Sequence, residues 1–192
     1  MEPGKALIKE RPDDTGIIVI VPSFDEEAIT DLLDSLGDCE KAPCTIEVIA
    51  GVNAPPGATV SQLTQNRISL EEIESWKEGK KNPPFRLFSV DLGQGKTRHW
   101  GAGMARKALM DEALLRFDLA GNEEGIIVSL DADCRVSKNY LTEIYKRFSS
   151  DRKVNGSSIR FEHQIPSPES DPAPARCDCL LRTAPQVLLP IP

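Results

Sequence analysis

The length, composition and net charge of the chain limit the functions it can have. Its 192 residues are enough for one domain with a substantial core and are few for two. A net charge of -7 argues against non-specific attraction to nucleic acid or to an anionic membrane surface.

The N-terminus and the cysteines are typical of a cytoplasmic protein. Residues 1–14 lack the apolar core of a signal peptide, and no stretch approaches the roughly 20 apolar residues of a transmembrane helix. The cysteine count of 5 is odd, so a disulfide framework is not expected. The CDC triplet at 177–179 has no second ligand pair at zinc spacing, which favours ordinary thiols.

Strand and helix patterns alternate along the chain. Apolar runs rich in β-branched residues predict strands at 16–22, 45–52, 85–90 and 125–130. Helical patterns cover 25–36, 69–80, 99–118 and 137–148. Several strand runs have no polar face, as in a sheet covered on both sides. The sequence therefore predicts an α/β fold, with a mostly parallel sheet flanked by helices on both faces.

Two boundaries follow from local signals. Ser69 and Glu72 have the spacing of a capping box, so the second helix is expected to begin at Ser69. From Pro166 onward the chain is dense in proline and loses periodicity. We therefore expect a domain over 1–165, followed by a proline-rich irregular tail over 166–192.

A polar stretch follows each predicted strand. PSFDEE follows the first strand, NAPPGAT the second, DLGQGKTRH the third and DADC the fourth. Ligands of open α/β sheets bind at the carboxyl ends of the strands, where these stretches lie. The predicted binding site is therefore the edge of the sheet at which the strands end.

Asp131 and Asp133 are candidates for metal chemistry. A carboxylate is costly to bury without a partner, so two acids at the end of an apolar strand must leave the core. On an extended segment they would project to the same side, with Ala132 pointing away. Their oxygens suit a hard divalent cation, Mg²⁺ or Mn²⁺, that substrate phosphates complete. On these residues alone, a solvated turn is an equally good interpretation.

Two other classes of protein with a DxD pair do not fit. Haloacid-dehalogenase phosphatases carry the pair near the first strand and have Thr or Val where Arg135 stands here. An EF-hand calcium loop needs glycine at its sixth position and glutamate at its twelfth, which are Val136 and Thr142.

Two further stretches have simple interpretations of their own. GQGKT is not a P-loop, because Val90 stands where the phosphate cradle needs glycine. Lys96, Arg98 and His99 form a basic loop that would meet an anion near a helix start, or would simply be solvated. Taken alone, IVPSFDEE indicates a helix start with Phe24 packed in the core.

In this order, the stretches resemble the donor-binding half of an inverting glycosyltransferase of the GT-A fold, family 2, over about residues 16–160. IVPSFDEEAITDLLDSL resembles that family's opening strand and helix, and EVIAGVNAPPGAT the strand that delivers a base-reading acid. GAGMARKALMDEAL resembles the helix with a base-contacting arginine, and IIVSLDADCRVSKNYLTEI closely matches the DxD strand and its helix. The resemblance implies a Rossmann-like nucleotide-diphospho-sugar transferase.

The resemblance also implies a nucleotide-sugar site. Pro22 and Phe24 would line the base, and Glu26 would lie near the ribose. Asn53 would read the base edge, in place of the family's usual aspartate.

The same resemblance implies residues around the diphosphate. Arg106 would reach the base or the diphosphate, and Lys96 belongs to the same binding set. Asp131 would bind the ribose or a metal-bound water, and Asp133 would ligate the cation, so both are the implied metal residues.

The implied activity is metal-assisted transfer of a sugar, with inversion, from a nucleoside diphosphate, first of all a UDP-sugar, to a hydroxyl of a glycan or lipid-linked acceptor. The acceptor half that normally follows is not recognisable after about residue 160, so the chain resembles an enzyme truncated after its donor-binding half. Acids and a histidine are available as the catalytic base, and none is singled out: Glu162, His163, Glu169 and Asp171.

Two alternative functions stay open. One is a non-catalytic nucleotide-sugar-binding module that lacks an acceptor site. The other is a phosphatase or nucleotidyltransferase that uses the same acids. Strands left uncovered by a missing acceptor half would favour pairing with a second copy, so a homo-oligomer is a further expectation.

Overall fold

The computed structural model describes residues 6–96, 100–151 and 153–160, together with the backbone of two short strands beyond them. The strands of the main sheet are β1 (Thr15–Ser23), β2 (Thr45–Ala54), β3 (Arg86–Gln94) and β4 (Ile126–Ser129). The helices are α1 (Ile29–Gly37), α2 (Val60–Gly79), α3 (Ala102–Ala120) and α4 (Tyr140–Ser150). The short strands are β5 (Cys134–Val136), β6 (Glu162–His163) and β7 (Cys177–Cys179).

The main sheet is four-stranded and parallel, in the order β3-β2-β1-β4. β1 lies in the interior of the sheet, with Val19 opposite Val48 of β2 and Val128 of β4. Since the connections between the strands contain helices, the predicted α/β class is confirmed.

The two faces of the sheet carry separate hydrophobic cores. Ile17, Val19 and Val21 of β1 pack on the side of α1, α2 and α4. Ile18 and Ile20 point the other way, towards α3. Helices therefore cover both faces, as the strand runs without a polar face predict.

α3 lies close to the backbone of β2. A Cβ atom at Gly51 would lie 2.7 Å from Cδ2 of Leu109, so the absence of a side chain at Gly51 permits this approach. Leu109 itself is fully buried.

The four helices begin at other residues than expected: α3 and α4 each begin three residues later, and the differences for α1 and α2 have a visible cause. α1 begins at Ile29, because residues 25–28 form a loop in which Asp25 has a φ of +55°. α2 begins at Val60, where Thr59 and Gln62 form the capping box. Ser69 is a buried residue inside α2, so its assignment as the cap was wrong.

A second small sheet has the order β5-β7-β6. Cys134 of β5 pairs in parallel with Cys177 of β7, which lies inside the segment expected to be an irregular tail. The rest of the range 166–192 lies outside the described residues. Among the cysteines with described side chains, Cys39 and Cys44 are free thiols. In the ranges that the structure describes, no helix combines the length and apolarity needed to cross a membrane.

A buried ion pair joins β2 to α3. Arg116 donates from Nε to Oε2 of Glu47 at 2.5 Å and from Nη2 to Oε1 at 2.8 Å. The two side chains are 1% and 0% exposed. Arg116 Nη1 also donates to the carbonyl of Glu10 at 2.9 Å, and its guanidinium carbon lies 4.7 Å from the centre of the Phe88 ring. The pair is thus fully enclosed and geometrically matched.

We expect Arg116→Met to destabilise the fold by about 3–5 kcal/mol, because it leaves the Glu47 carboxylate buried without its main partner. The double variant Glu47→Leu/Arg116→Met should recover most of that loss, since it removes both charges. Urea denaturation of the single and double variants measures both effects. A double variant as unstable as the single one would contradict this account of the pair.

Candidate functional site

The candidate site lies where the order of strands reverses. The chain builds the sheet outward from β1 through β2 to β3 and then returns to place β4 on the other side of β1. In open α/β sheets, ligands bind at the carboxyl ends of the strands beside such a reversal. Residues 24–28 leave β1 there, and residues 130–134 leave β4.

The DAD stretch forms a turn at the end of β4. Leu130 N–H donates to the Ile20 carbonyl at 3.0 Å, which continues the sheet one residue beyond β4. Cys134 N–H then donates to the Asp131 carbonyl at 3.2 Å. Asp131 and Asp133 are exposed and Ala132 is buried, as the sequence predicts, although the segment is a turn and not an extended strand.

Arg106 lies in the first turns of α3 and contacts the end of β4. It donates from Nε to Ser129 Oγ at 2.9 Å and from Nη2 to Asp131 Oδ1 at 2.5 Å. The structure therefore brings together two residues that the resemblance places in one site. It also gives Asp131 a positive partner within the protein.

Glu26 lies in the loop after β1 and is half-buried. Burial raises the pKa of its carboxyl above the ordinary value, the Ala28 N–H that donates to Oε1 opposes this, and the negative charge of Asp133 raises it further. The acids that follow β1 and β4 are thus close enough to repel one another. A positive charge between them would relieve that repulsion.

The ends of β1 and β2 carry buried polar groups without a partner among the described residues. Asn53 is 2% exposed, and neither its Oδ1 nor its Nδ2 has a hydrogen bond. Ser23, 3% exposed, has an unpartnered Oγ. Pro22 is buried and Phe24 is half-buried beside them in sequence. Unpartnered buried polar groups are costly, and a bound ligand is one way to satisfy them.

Lys96 is exposed on the loop that follows β3. Gly95 N–H donates to the Ala54 carbonyl at 2.9 Å, so this loop is tied to the end of β2 and not to β4. Arg98 and His99, the other cations of the predicted basic loop, lie outside the described residues. The structure therefore shows Lys96 on the β2 side of the site, away from the β1–β4 reversal.

α2 contributes a polar stripe that the sequence analysis missed. The stripe consists of side chains at helical spacing: Gln62, Gln65, Asn66 and Ser69. Ser69 Oγ and Gln65 Nε2 donate to the Glu26 carbonyl, at 2.7 and 3.1 Å. These residues have the helical spacing i, i+3, i+4, i+7, which could have been detected. They are polar, however, and helices are usually predicted from the spacing of apolar residues.

An open groove of about 2090 Å³ begins at Asp131 and Asp133 and continues along β4. Ile126 of β4 and Tyr145 of α4 are among its walls, together with residues 154–159. On the side away from β1, no described strand of the main sheet pairs with β4. As bounded by the described residues, the groove is larger than a typical pocket for a small ligand.

The acids do not form a preassembled metal cluster. Among the described residues, no group of at least 3 His, Cys, Asp or Glu side chains is arranged to hold a metal ion. The carboxylates of Glu26, Asp131 and Asp133 are nonetheless the oxygen ligands that Mg²⁺ or Mn²⁺ prefers when substrate and water complete its shell.

Comparisons with known proteins are limited to weak structural likeness. No family model matches the chain, and no curated protein matches it. Crystal structures of S. aureus TarS 1-349 match at 20% identity, with TM-scores of 0.44 alone and 0.46 in complex with UDP. The match covers 76% of this chain and 38% of the TarS chain. The chain thus spans less than two thirds of those proteins. With a TM-score under 0.5, this likeness carries no argument about function.

We expect Glu26→Gln to stabilise the metal-free protein at neutral pH. A raised pKa means that the folded state holds the proton more tightly, so wild-type stability is lost as the pH rises from the ordinary value of 4.5 through the raised one. Glutamine stays neutral and keeps an acceptor for Ala28 N–H. The free energy of unfolding in EDTA, measured across this range, should favour the variant increasingly as the pH rises.

The matched control is Glu71→Gln, which changes an exposed carboxyl on α2 that pairs only loosely with Arg67, at 3.8 Å. Its stability should follow the wild-type profile. Parallel profiles for Glu26→Gln and wild type would show that Glu26 ionises freely in the folded protein.

Proposed function

We propose that the chain binds a nucleoside diphosphate sugar, preferably a UDP-sugar, and transfers the sugar to a hydroxyl acceptor with inversion, as a GT-A glycosyltransferase of family 2. The observation that supports this is the placement of acids after β1 and β4, where the order of strands reverses, beside buried polar groups that have no partner among the described residues. A ligand with a charged diphosphate and a polar base has the chemistry to satisfy both features.

The acids suit the diphosphate end of such a ligand. Asp133 and Asp131 would hold a Mg²⁺ or Mn²⁺ ion, and Glu26 would lie near the ribose. When bound, the cation would offset the charge that grows on the leaving diphosphate. Arg106 neutralises Asp131 in this structure, so it would share its guanidinium between Asp131 and the donor. Lys96 would add positive charge from the β2 side.

The buried amide of Asn53 suits the base. A side-chain amide has both an NH₂ group that donates and an oxygen that accepts, and the edge of uracil presents an N–H beside a carbonyl. A carboxylate at this position would offer acceptors only. Pro22 and Phe24 would pack against the base, with the aromatic ring stacked on it or edge-on to it. The pairing of groups supports UDP over a nucleotide whose base presents adjacent N–H donors.

Transfer also needs a group that removes the proton of the acceptor hydroxyl. The candidate bases have side chains outside the described residues: Glu162, His163, Glu169 and Asp171. The open groove beside Asp131 and Asp133 is the place where an acceptor would approach the donor sugar.

We expect UDP to bind in the presence of Mn²⁺, and Asp133→Ala to weaken that binding at least about tenfold, because loss of even an indirect metal partner has this effect. Calorimetric titration of UDP and GDP, with Mn²⁺ and with EDTA, measures it. The matched control is Asp111→Ala, which removes an exposed acid of α3 that pairs with Lys107. That variant should bind as wild type does.

The outcomes separate the candidate functions. Binding without sugar transfer or donor hydrolysis would identify a non-catalytic module, and release of phosphate or pyrophosphate would identify a phosphatase or nucleotidyltransferase. Equal affinity of Asp133→Ala and wild type would overturn the proposed cation site. Failure of folded wild-type protein to bind either nucleotide would overturn the proposed function.

A further inference from the structure

We infer that Asn66, on α2, is a positioning residue for the nucleotide site: its side-chain amide fixes the loop after β1 to the end of β2. This inference rests on the proposed function. Asn66 does not contact the proposed ligand. It acts through the backbone of two residues: Asp25, which precedes Glu26 of the site, and Asn53, which belongs to the site itself.

Both ends of the Asn66 amide are used, and both bonds are long-range in sequence. Oδ1 accepts from Asp25 N–H at 2.9 Å, and Nδ2 donates to the Asn53 carbonyl at 2.8 Å. The side chain is 8% exposed. Since one partner requires an acceptor and the other a donor, neither Asp nor Leu, which are close to Asn in size, can replace it. The amide thus bridges the ends of adjacent strands.

The bond to Asp25 holds a strained turn. Asp25 has a φ of +55°, in the left-handed region that non-glycine residues rarely adopt. Its carboxylate accepts from Gln62 Nε2 at 3.1 Å, so α2 holds both the backbone and the side chain of this residue. Such a turn persists when its surroundings determine it, and here they do. The turn sets the direction in which Glu26 leaves β1.

The bond to Asn53 uses the carbonyl of that residue and not its side-chain amide. Its carbonyl is satisfied by Asn66, whereas its own amide has no partner among the described residues. The side-chain amide of Asn53, which is proposed to contact the base, is therefore attached to a backbone that Asn66 holds in place. A site whose backbone is fixed before the ligand arrives loses less conformational entropy on binding.

The test compares three variants with wild type at a temperature at which all are folded. We expect Asn66→Ala to weaken UDP binding in Mn²⁺ about tenfold or more, as removal of a supporting partner does in metal sites. Asn66→Asp keeps the acceptor for Asp25 N–H and loses the donor to Asn53. Its affinity for UDP should therefore lie between that of wild type and that of Asn66→Ala. Arg67→Ala, the neighbouring exposed position on α2, should bind as wild type does.

A second measurement separates positioning from stability. Arg116→Met lowers stability at the opposite end of the sheet and should leave the affinity for UDP unchanged. In Asn66→Ala, amide hydrogen exchange of Asp25 in the free protein should accelerate by a similar factor to the loss of affinity. If Asn66→Ala does not fold, Asn66→Asp provides the same comparison.

The two proposals fail in different ways. Wild-type protein that binds neither UDP nor GDP overturns the proposed function, and the role of Asn66 in it. Wild-type binding with unchanged affinity in folded Asn66→Ala and Asn66→Asp overturns only the role of Asn66. Equal losses of affinity in Asn66→Ala and Arg116→Met would show that Asn66 acts through stability alone.

Discussion

The complete burial of β1 is the constraint on which the rest of the structure depends. Residues 17–21 are at most 1% exposed, because β1 is paired on both edges and covered on both faces. A strand in this position cannot carry a charge without a buried partner. Charged side chains without a buried partner therefore lie where the chain leaves the sheet. Asp25 and Glu26 stand there, and the acids after β4 obey the same rule.

The exception on β2 shows what a buried charge requires. Glu47 lies inside the sheet and is tolerated because Arg116 of α3 meets both of its oxygens. Arg106 lies ten residues earlier on the same helix, about 15 Å along its axis. One end of α3 thus neutralises a charge in the core, and the other places a cation at the candidate site.

The strands, the DAD exit and the later turns of α2 were predictable from the sequence, and the first turns of α2 were not. Buried parallel strands require runs of apolar β-branched residues, and such runs are easy to recognise in a sequence. The inner face of α2 begins with Gln62 and Asn66, which face the loop after β1 and not the core, so hydrophobic periodicity detects only the later turns. Asn53 was expected in a loop, but β2 continues through Ala54. A residue whose partners are distant backbone atoms leaves no local pattern to read.

The acids of the site differ in how their charge is balanced, which the sequence pattern DAD conceals. Asp131 has Arg106 as a counter-charge within the protein. Asp133 lies in the turn after β4, and its negative charge raises the pKa of the Glu26 carboxyl. Repulsion of this kind costs stability unless it is relieved on binding, when it becomes a preference for a positively charged ligand or a cation carried by one. The proposed cation therefore belongs more to Asp133 than to Asp131. Arg106 would be the group that must adjust when the diphosphate arrives.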